Sequence, residues 1–127
     1  MKQIDLTHTI NAPVAKVWQA FVDPSVIEKW GAGPAQMSAE EGGQFSLWGG
    51  DIHGINTKIV PEKLLEQDWY GHYHPERCYK VKYLFESNGS RTAIHLIHTD
   101  VPDEEVKEME NDWRDYYLDP IKKLLEG

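Results

Sequence analysis

Cysteine is nearly absent from this chain: Cys78 is the one thiol in 127 residues. A single cysteine excludes an internal disulfide and any cysteine-rich zinc site, and it fits a reducing compartment, with the cytoplasm as the default. Long apolar runs are missing too. No window approaches the roughly 20 apolar residues of a membrane-spanning helix, and Met1-Lys2-Gln3-Ile4-Asp5 opens no stretch of signal-peptide length. Positive charge is scarce, with 13 Lys and Arg against 21 Asp and Glu for a net of −8. The clustered basic surface that nucleic-acid binding needs is therefore lacking, and neither nucleic acid nor membrane is expected as a partner. A composition of 40% hydrophobic and 27% charged residues is that of an ordinary soluble globule. The length suits one domain, residues 1–127, able to bury roughly two-thirds of the surface its unfolded chain exposes without any staple.

Large rings are abundant by contrast: five Trp, six Tyr and three Phe. Their placement follows the pattern of elements. Ile4, Leu6, His8 and Ile10 alternate with polar residues, the period of a strand with one buried face, so residues 2–10 read as the first strand. Asn11-Ala12-Pro13 then supplies a capping side chain and a helix-starting proline, and Val14, Val17, Trp18 and Phe21 follow at helical spacing. Asp23-Pro24-Ser25 restarts that pattern for a second short helix carrying Val26, Ile27 and Trp30.

Residues 35–99 read as an antiparallel meander, bringing the total to six or seven strands. Gln44 to Trp48 leads into the turn Gly49-Gly50-Asp51, and Ile52 to Val60 and Leu64 to Tyr73 follow around the corner Pro61-Glu62-Lys63. Tyr79, Val81, Tyr83 and Phe85 alternate cleanly before Asn88-Gly89-Ser90, the strongest hairpin signal in the chain. Beyond it Thr92, Ile94, Leu96 and His98 share one face as far as about Thr99. Val106, Met109, Trp113, Tyr116/Tyr117, Ile121 and Leu124/Leu125 then recur every three to four residues, a helix of roughly 20 residues with one apolar stripe. Pro120 lacks an N–H and its ring meets the Tyr116 carbonyl, so a kink or break is expected near Tyr116–Asp119. A one-sided sheet must bury its apolar face, and only this last helix is long enough to cover it, which makes the fold class α+β.

This order of elements resembles the helix-grip, START/SRPBCC-type superfamily, in which a curved antiparallel sheet of six to seven strands wraps a long C-terminal helix, with two short helices between strands one and two. Asn11-Ala12-Pro13, Val17-Trp18, Phe21, Asp23-Pro24 and Lys29-Trp30 are similar to that superfamily's opening pattern. Gly49-Gly50, Gly54, Val60-Pro61-Glu62-Lys63, Trp69, Val101-Pro102, Trp113, Tyr116-Tyr117 and Pro120-Ile121-Lys122 resemble more closely the C-terminal domain of the activators of the ninety-kDa heat-shock chaperone ATPase. The resemblance implies a heat-shock chaperone as partner and a stress-related role. It brings no catalytic residues and no cofactor, because the co-chaperone group is not enzymatic.

Several constellations invite chemistry. His72-Tyr73-His74-Pro75-Glu76 sets two imidazoles and a carboxylate at alternate positions, a spacing a metal can use, although Pro75 makes a polar loop the plainer reading and no metal is assigned. His95 and His98 lie three apart, so on a strand they face opposite sides, with His98 inward. Cys78 falls on the outer face by alternation and has no base beside it. No glycine run has a phosphate-cradling spacing, and no serine sits in a nucleophile-elbow pattern. The aromatic set differs in degree. Trp18, Trp30, Phe45, Trp69, Tyr83, Trp113 and Tyr117 come from separate elements that the fold brings to one interior, with Met109 and His98 beside them. Either they fill the core, or some line a cavity for a small hydrophobic ligand, with His98 as a convergent hydrogen-bonding group. A non-enzymatic co-chaperone-like module is the first functional expectation. A lipid or aromatic-molecule carrier or receptor is the second, and a cyclase- or hydrolase-type enzyme with His98 as base the third. The acidity is not spread evenly: residues 100–127 hold ten acidic and four basic side chains, leaving only −2 of the −8 to the other 99 residues. That segment is a solvated face or a docking surface for a basic partner.

Overall fold

The computed structural model describes residues 2–71 and 77–126. Strand β1 (Lys2–Ile10) is followed by helices α1 (Val14–Val22) and α2 (Pro24–Trp30), then by β2 (Gln36–Met37), β3 (Gln44–Leu47), β4 (Ile52–Val60), β5 (Leu64–Gly71), β6 (Tyr79–Asn88) and β7 (Arg91–Val101). All seven strands form one antiparallel sheet in the order β1-β7-β6-β5-β4-β3-β2, so β1 returns beside the last strand and everything between is a meander. The alternation in the sequence is realised in burial: Ile4, Leu6 and Ile10 on β1, Val81, Tyr83 and Phe85 on β6, and Thr92, Ile94, Leu96 and His98 on β7 all face inward.

One detail of the expected capping differs. Asp23 caps α2, its carboxylate accepting from the Ser25 N–H at 2.9 Å and from the Ser25 hydroxyl at 2.8 Å. Asn11 does not cap α1. That helix has Pro13 at its N-cap position and no side-chain cap, and the Asn11 N–H donates instead to Glu126 at the other end of the chain, 2.8 Å away. The first strand thus gains a tie to the last helix. Lys122 reinforces it, its Nζ donating to the Thr9 carbonyl at 3.1 Å and to the Glu126 carboxylate at 2.7 Å.

The C-terminal segment covers the inner face of the sheet as the pattern requires, but it is neither broken nor simply kinked. A short 3₁₀ turn (Asp103–Glu105) leads into α3 (Val106–Asp112), then a π-helical turn (Trp113–Leu118), then α4 (Asp119–Glu126). The Asp119 N–H reaches back five residues to the Arg114 carbonyl. The wider turn directly before Pro120 accommodates the ring where an α-helical turn would set it against the Tyr116 carbonyl. Trp113, Tyr117 and Leu118, all within this wider turn, are buried together. Among the described residues no helix is long and apolar enough to cross a membrane.

Candidate functional site

The rings cluster around Tyr117. Its centroid lies 4.7 Å from Trp30, 4.9 Å from Trp113, 5.7 Å from Phe21 and 6.1 Å from Tyr83. Nine side chains are expected around a cavity, and the structure divides them. Trp69, His98, Met109, Trp113 and Tyr117 line one cavity of about 430 Å³ between the sheet and the C-terminal helical segment. Trp18, Trp30, Phe45 and Tyr83 do not line it. Trp18 stacks edge-on against Phe85 at 5.1 Å. Trp30 is tied by its indole N–H to the Ala20 carbonyl at 2.8 Å, locking α2 to α1. Phe45 and Tyr83 are buried core.

The cavity also uses residues that spacing did not single out. Trp48, Ile52 and Tyr79 complete its walls, while Asp51, Glu108, Asp112 and Tyr116 lie toward solvent. Signals for some of them exist in the sequence. Glu108 and Asp112 each stand one residue before a member of the apolar stripe, Met109 and Trp113, and Tyr79 belongs to the inward alternation of β6. Trp48 carries no such signal, because its position comes from backbone geometry. It adopts φ 50° at the β3–β4 connection, in the left-handed region that a bulky residue rarely enters. Two contacts hold it there. Its backbone N–H donates to the Ala32 carbonyl at 2.8 Å, and its indole N–H to the Gly31 carbonyl at 3.0 Å.

A chain of buried amides orients Trp69. Its indole N–H donates to Gln67 Oε1 at 2.7 Å, Gln67 Nε2 donates to Asn56 Oδ1 at 2.8 Å, and Asn56 Nδ2 donates to the Ser38 carbonyl at 2.6 Å. Gln67 and Asn56 are both fully buried, so this relay satisfies the polar atoms it buries and fixes the ring at the cavity wall. Gly54 lets β4 and β5 approach closely beside that ring. The cross-strand row Phe45, Gly54, Trp69, Tyr79 lies on the inner face, and a Cβ on Gly54 would stand 1.7 Å from the Asp68 carbonyl oxygen.

His98 is the polar centre of the cavity. Its Nδ1 accepts from the Trp113 indole N–H at 3.0 Å. An indole only donates, so Nδ1 carries no proton and the neutral ring bears its hydrogen on Nε2. That Nε2 is buried and has no hydrogen-bond partner. Burial pushes the imidazole pKa down to about 4, leaving it uncharged at neutral pH. The Tyr117 hydroxyl is buried beside that of Tyr83, and burial drives its ionisation far above the ordinary range. His95 faces the opposite side, beside Asp5, as the spacing requires. Cys78 lies just ahead of β6, half-buried, its Sγ 3.8 Å from the Tyr79 carbonyl. The candidate metal spacing His72, His74 and Glu76 lies outside the described residues, and among the described residues no His, Cys, Asp and Glu cluster is placed to hold a metal.

A seven-stranded antiparallel sheet closed over a long C-terminal helix, with two short helices after the first strand, is the helix-grip α+β fold. The chain belongs to the family described as "Activator of Hsp90 ATPase homolog 1-like protein", whose model matches residues 11–126. It is 28% identical over 123 residues to an uncharacterised protein of Schizosaccharomyces pombe and 27% identical over 124 residues to activator of 90 kDa heat shock protein ATPase homolog 2 of Mus musculus. Those alignments take in 96% and 97% of this chain but only 37% and 38% of the relatives, so the chain spans well under half the length of the curated proteins it matches. Among solved structures, an Hsp90 activator from Plasmodium falciparum superposes with a TM-score of 0.88 at 24% identity, covering 99% of this chain and 97% of that one. CalU16 of Micromonospora echinospora superposes with a TM-score of 0.85 at 25% identity, covering 98% and 74%.

Proposed function

We propose that this chain is a non-catalytic interaction module of the chaperone-activator type, acting on an Hsp90-class chaperone. The observation that carries the reading is the family match over residues 11–126, joined by relatives named as activators of the 90 kDa heat-shock ATPase. The acidic C-terminal segment supports it, because a solvated face of one sign steers and positions a basic partner surface. The test is direct. Purified chain mixed with the cognate chaperone is expected to be retained in a pull-down and to change its ATPase rate. If neither occurs, the co-chaperone reading fails.

A second reading, a small-molecule binding role, is favoured by the cavity itself. Its volume of about 430 Å³ lies in the range of small-ligand sites, its walls are aromatic, and His98 Nε2 is a polar atom left over by the core. Burial keeps His98 uncharged and the Tyr83 and Tyr117 phenols protonated, and this reading takes the cavity as a binding site. A ligand selective for the native state raises apparent stability by about 2.7 kcal/mol at one hundred times its Kd, which shifts Tm by several degrees. A thermal-shift screen of aromatic compounds is expected to find such shifts. A screen in which none moves Tm would sink this reading.

A further inference from the structure

Among the described residues, four in the cavity wall carry a ring N–H: Trp48, Trp69, Trp113 and His98. Three of these donors are spent. Trp48 donates to the Gly31 carbonyl at 3.0 Å, Trp69 to Gln67 Oε1 at 2.7 Å and Trp113 to His98 Nδ1 at 3.0 Å. The fourth is not. His98 Nε2 is buried with no hydrogen-bond partner, in a residue only 3% exposed. The Tyr79 ring stands edge to face with the imidazole at 5.0 Å, and a ring face is a weak acceptor. Trp113 fixes the polarity of the missing partner. Its indole N–H can only donate, so Nδ1 keeps its lone pair and the neutral ring carries its hydrogen on Nε2. Whatever completes His98 from the cavity therefore accepts a hydrogen bond. Burial holds this imidazole uncharged at neutral pH, so it offers a bond without a countercharge, and a carboxylate placed opposite it would lose its hydration unpaired. A carbonyl oxygen avoids that cost. The surrounding wall suits flat rings, with Trp69 4.8 Å from Trp113 and Trp113 4.9 Å from Tyr117.

We propose that the cavity takes an uncharged, planar aromatic carbonyl compound, its rings against Trp69, Trp113 and Tyr117 and its carbonyl oxygen accepting from His98 Nε2–H. Trp113 then acts twice, its ring as wall and its N–H as the group that sets the imidazole tautomer. A water held at Nε2 is displaced without loss only by another acceptor, so a hydrocarbon of the same shape leaves the donor unsatisfied. This specificity is separate from the chaperone reading and rests on the cavity reading.

The probes are two naphthalenes of one shape: 2-acetylnaphthalene, labelled with carbon-13 at its carbonyl, and 2-isopropenylnaphthalene, in which a CH₂ group replaces the oxygen. Affinities are measured on the full chain at pH 7 by equilibrium dialysis, alongside the Trp113 indole N–H resonance, identified by its loss in Trp113→Phe. That proton is bonded to His98, so it reports occupancy beside the imidazole. The ketone gives up more hydration than the alkene on entering, so without a donor it binds the more weakly of the two. With His98 Nε2–H as donor it is expected to bind at least about fivefold more tightly than the alkene, and both to move the Trp113 resonance. His98→Phe keeps a ring and removes the donor. There the preference is expected to vanish or invert, and the carbonyl carbon of bound ketone to resonate at lower frequency than in the parent. Should that variant not fold, the two ligands compared in the parent decide. The alkene binding as tightly as the ketone overturns the proposal and leaves the cavity reading standing. A ketone preference that persists in folded His98→Phe, or ketone binding that leaves the Trp113 resonance unmoved, puts the oxygen on another donor and overturns it as well. If neither compound binds, the proposal fails, and the wider thermal-shift screen still decides the cavity reading.

Discussion

Gly54 has no room for a side chain, and that single fact sets the spacing between two strands. Its ideal Cβ would overlap the Asp68 carbonyl oxygen, a backbone atom that cannot swing aside as a flexible side chain would. Gly54→Ala is therefore expected to force β4 and β5 apart and to cost about 2 kcal/mol or more, read as a lower midpoint in urea unfolding. A midpoint within experimental error of the parent would show that the strands yield freely. His98 acts through its protonation. Its folded pKa of about 4 lies below the ordinary value of 6.5, so the native state favours the neutral ring. The stabilisation is complete above about pH 7 and declines as pH falls through 6.5 toward 4, because the unfolded chain then binds a proton that the native ring refuses. The loss reaches about 3 kcal/mol by pH 4. His98→Gln keeps an acceptor for Trp113 but does not titrate. It is expected to remove about 2 kcal/mol from the stability difference between pH 7.5 and pH 5, whatever the carboxylates and His8 contribute in both proteins. Parallel pH profiles for parent and variant would refute the assignment.

Between residue and molecule, the buried relay from Trp69 through Gln67 and Asn56 to Ser38 joins β5, β4 and the segment after β2. Removing one member strands its partners: Gln67→Leu leaves the Trp69 N–H and Asn56 Oδ1 without a bond, at an expected cost of about 2 to 3 kcal/mol. The double variant Asn56→Leu with Gln67→Leu is expected to cost at least about 1 kcal/mol less than the sum of the singles, since the broken bond is then counted once. Strict additivity would mean that the two amides act independently. Such cross-element contacts explain what the sequence shows and what it hides. The strands and short helices are legible because their period puts Ile4, Leu6, Ile94 and Leu96 on one face, and burial follows. Pro120 announces a disturbance in the last helix. Its form, a π turn, depends on Trp113 docking on His98 at one end while Lys122 and Glu126 tie to Thr9 and Asn11 at the other. The division of the aromatic set is likewise invisible to periodicity. Trp30 and Trp113 both occupy inward positions, yet the Trp30 indole N–H is spent on Ala20 and Trp113 alone reaches the cavity. Asp51 and Trp48 come from a turn, where neither period applies.

At the scale of the whole molecule, most of the net charge of −8 is carried by residues 100–127. Glu104, Glu108 and Asp112 recur at intervals of four along the C-terminal segment, and Asp115 and Asp119 repeat the spacing one step on. Like charges four apart on a helix cost roughly 0.2 to 0.5 kcal/mol each, so three such pairs withhold about 1 kcal/mol from the fold. The surface pairs elsewhere, Lys80 with Asp68 and Lys82 with Glu66, are exposed enough that screening takes little from them. Salt should therefore stabilise this protein. Raising sodium chloride from about 10 mM to 150 mM shortens the Debye length from roughly 30 to 8 Å, and Tm is expected to rise by about 4 °C. The double variant Glu108→Gln with Asp115→Asn interrupts both runs, so it is expected to start with a higher Tm at low salt and to gain less than half of the parent's rise. An equal rise in both proteins would place the repulsion elsewhere, and a fall in the parent would mean that the acidic segment is held by ion pairs rather than strained by its own charge.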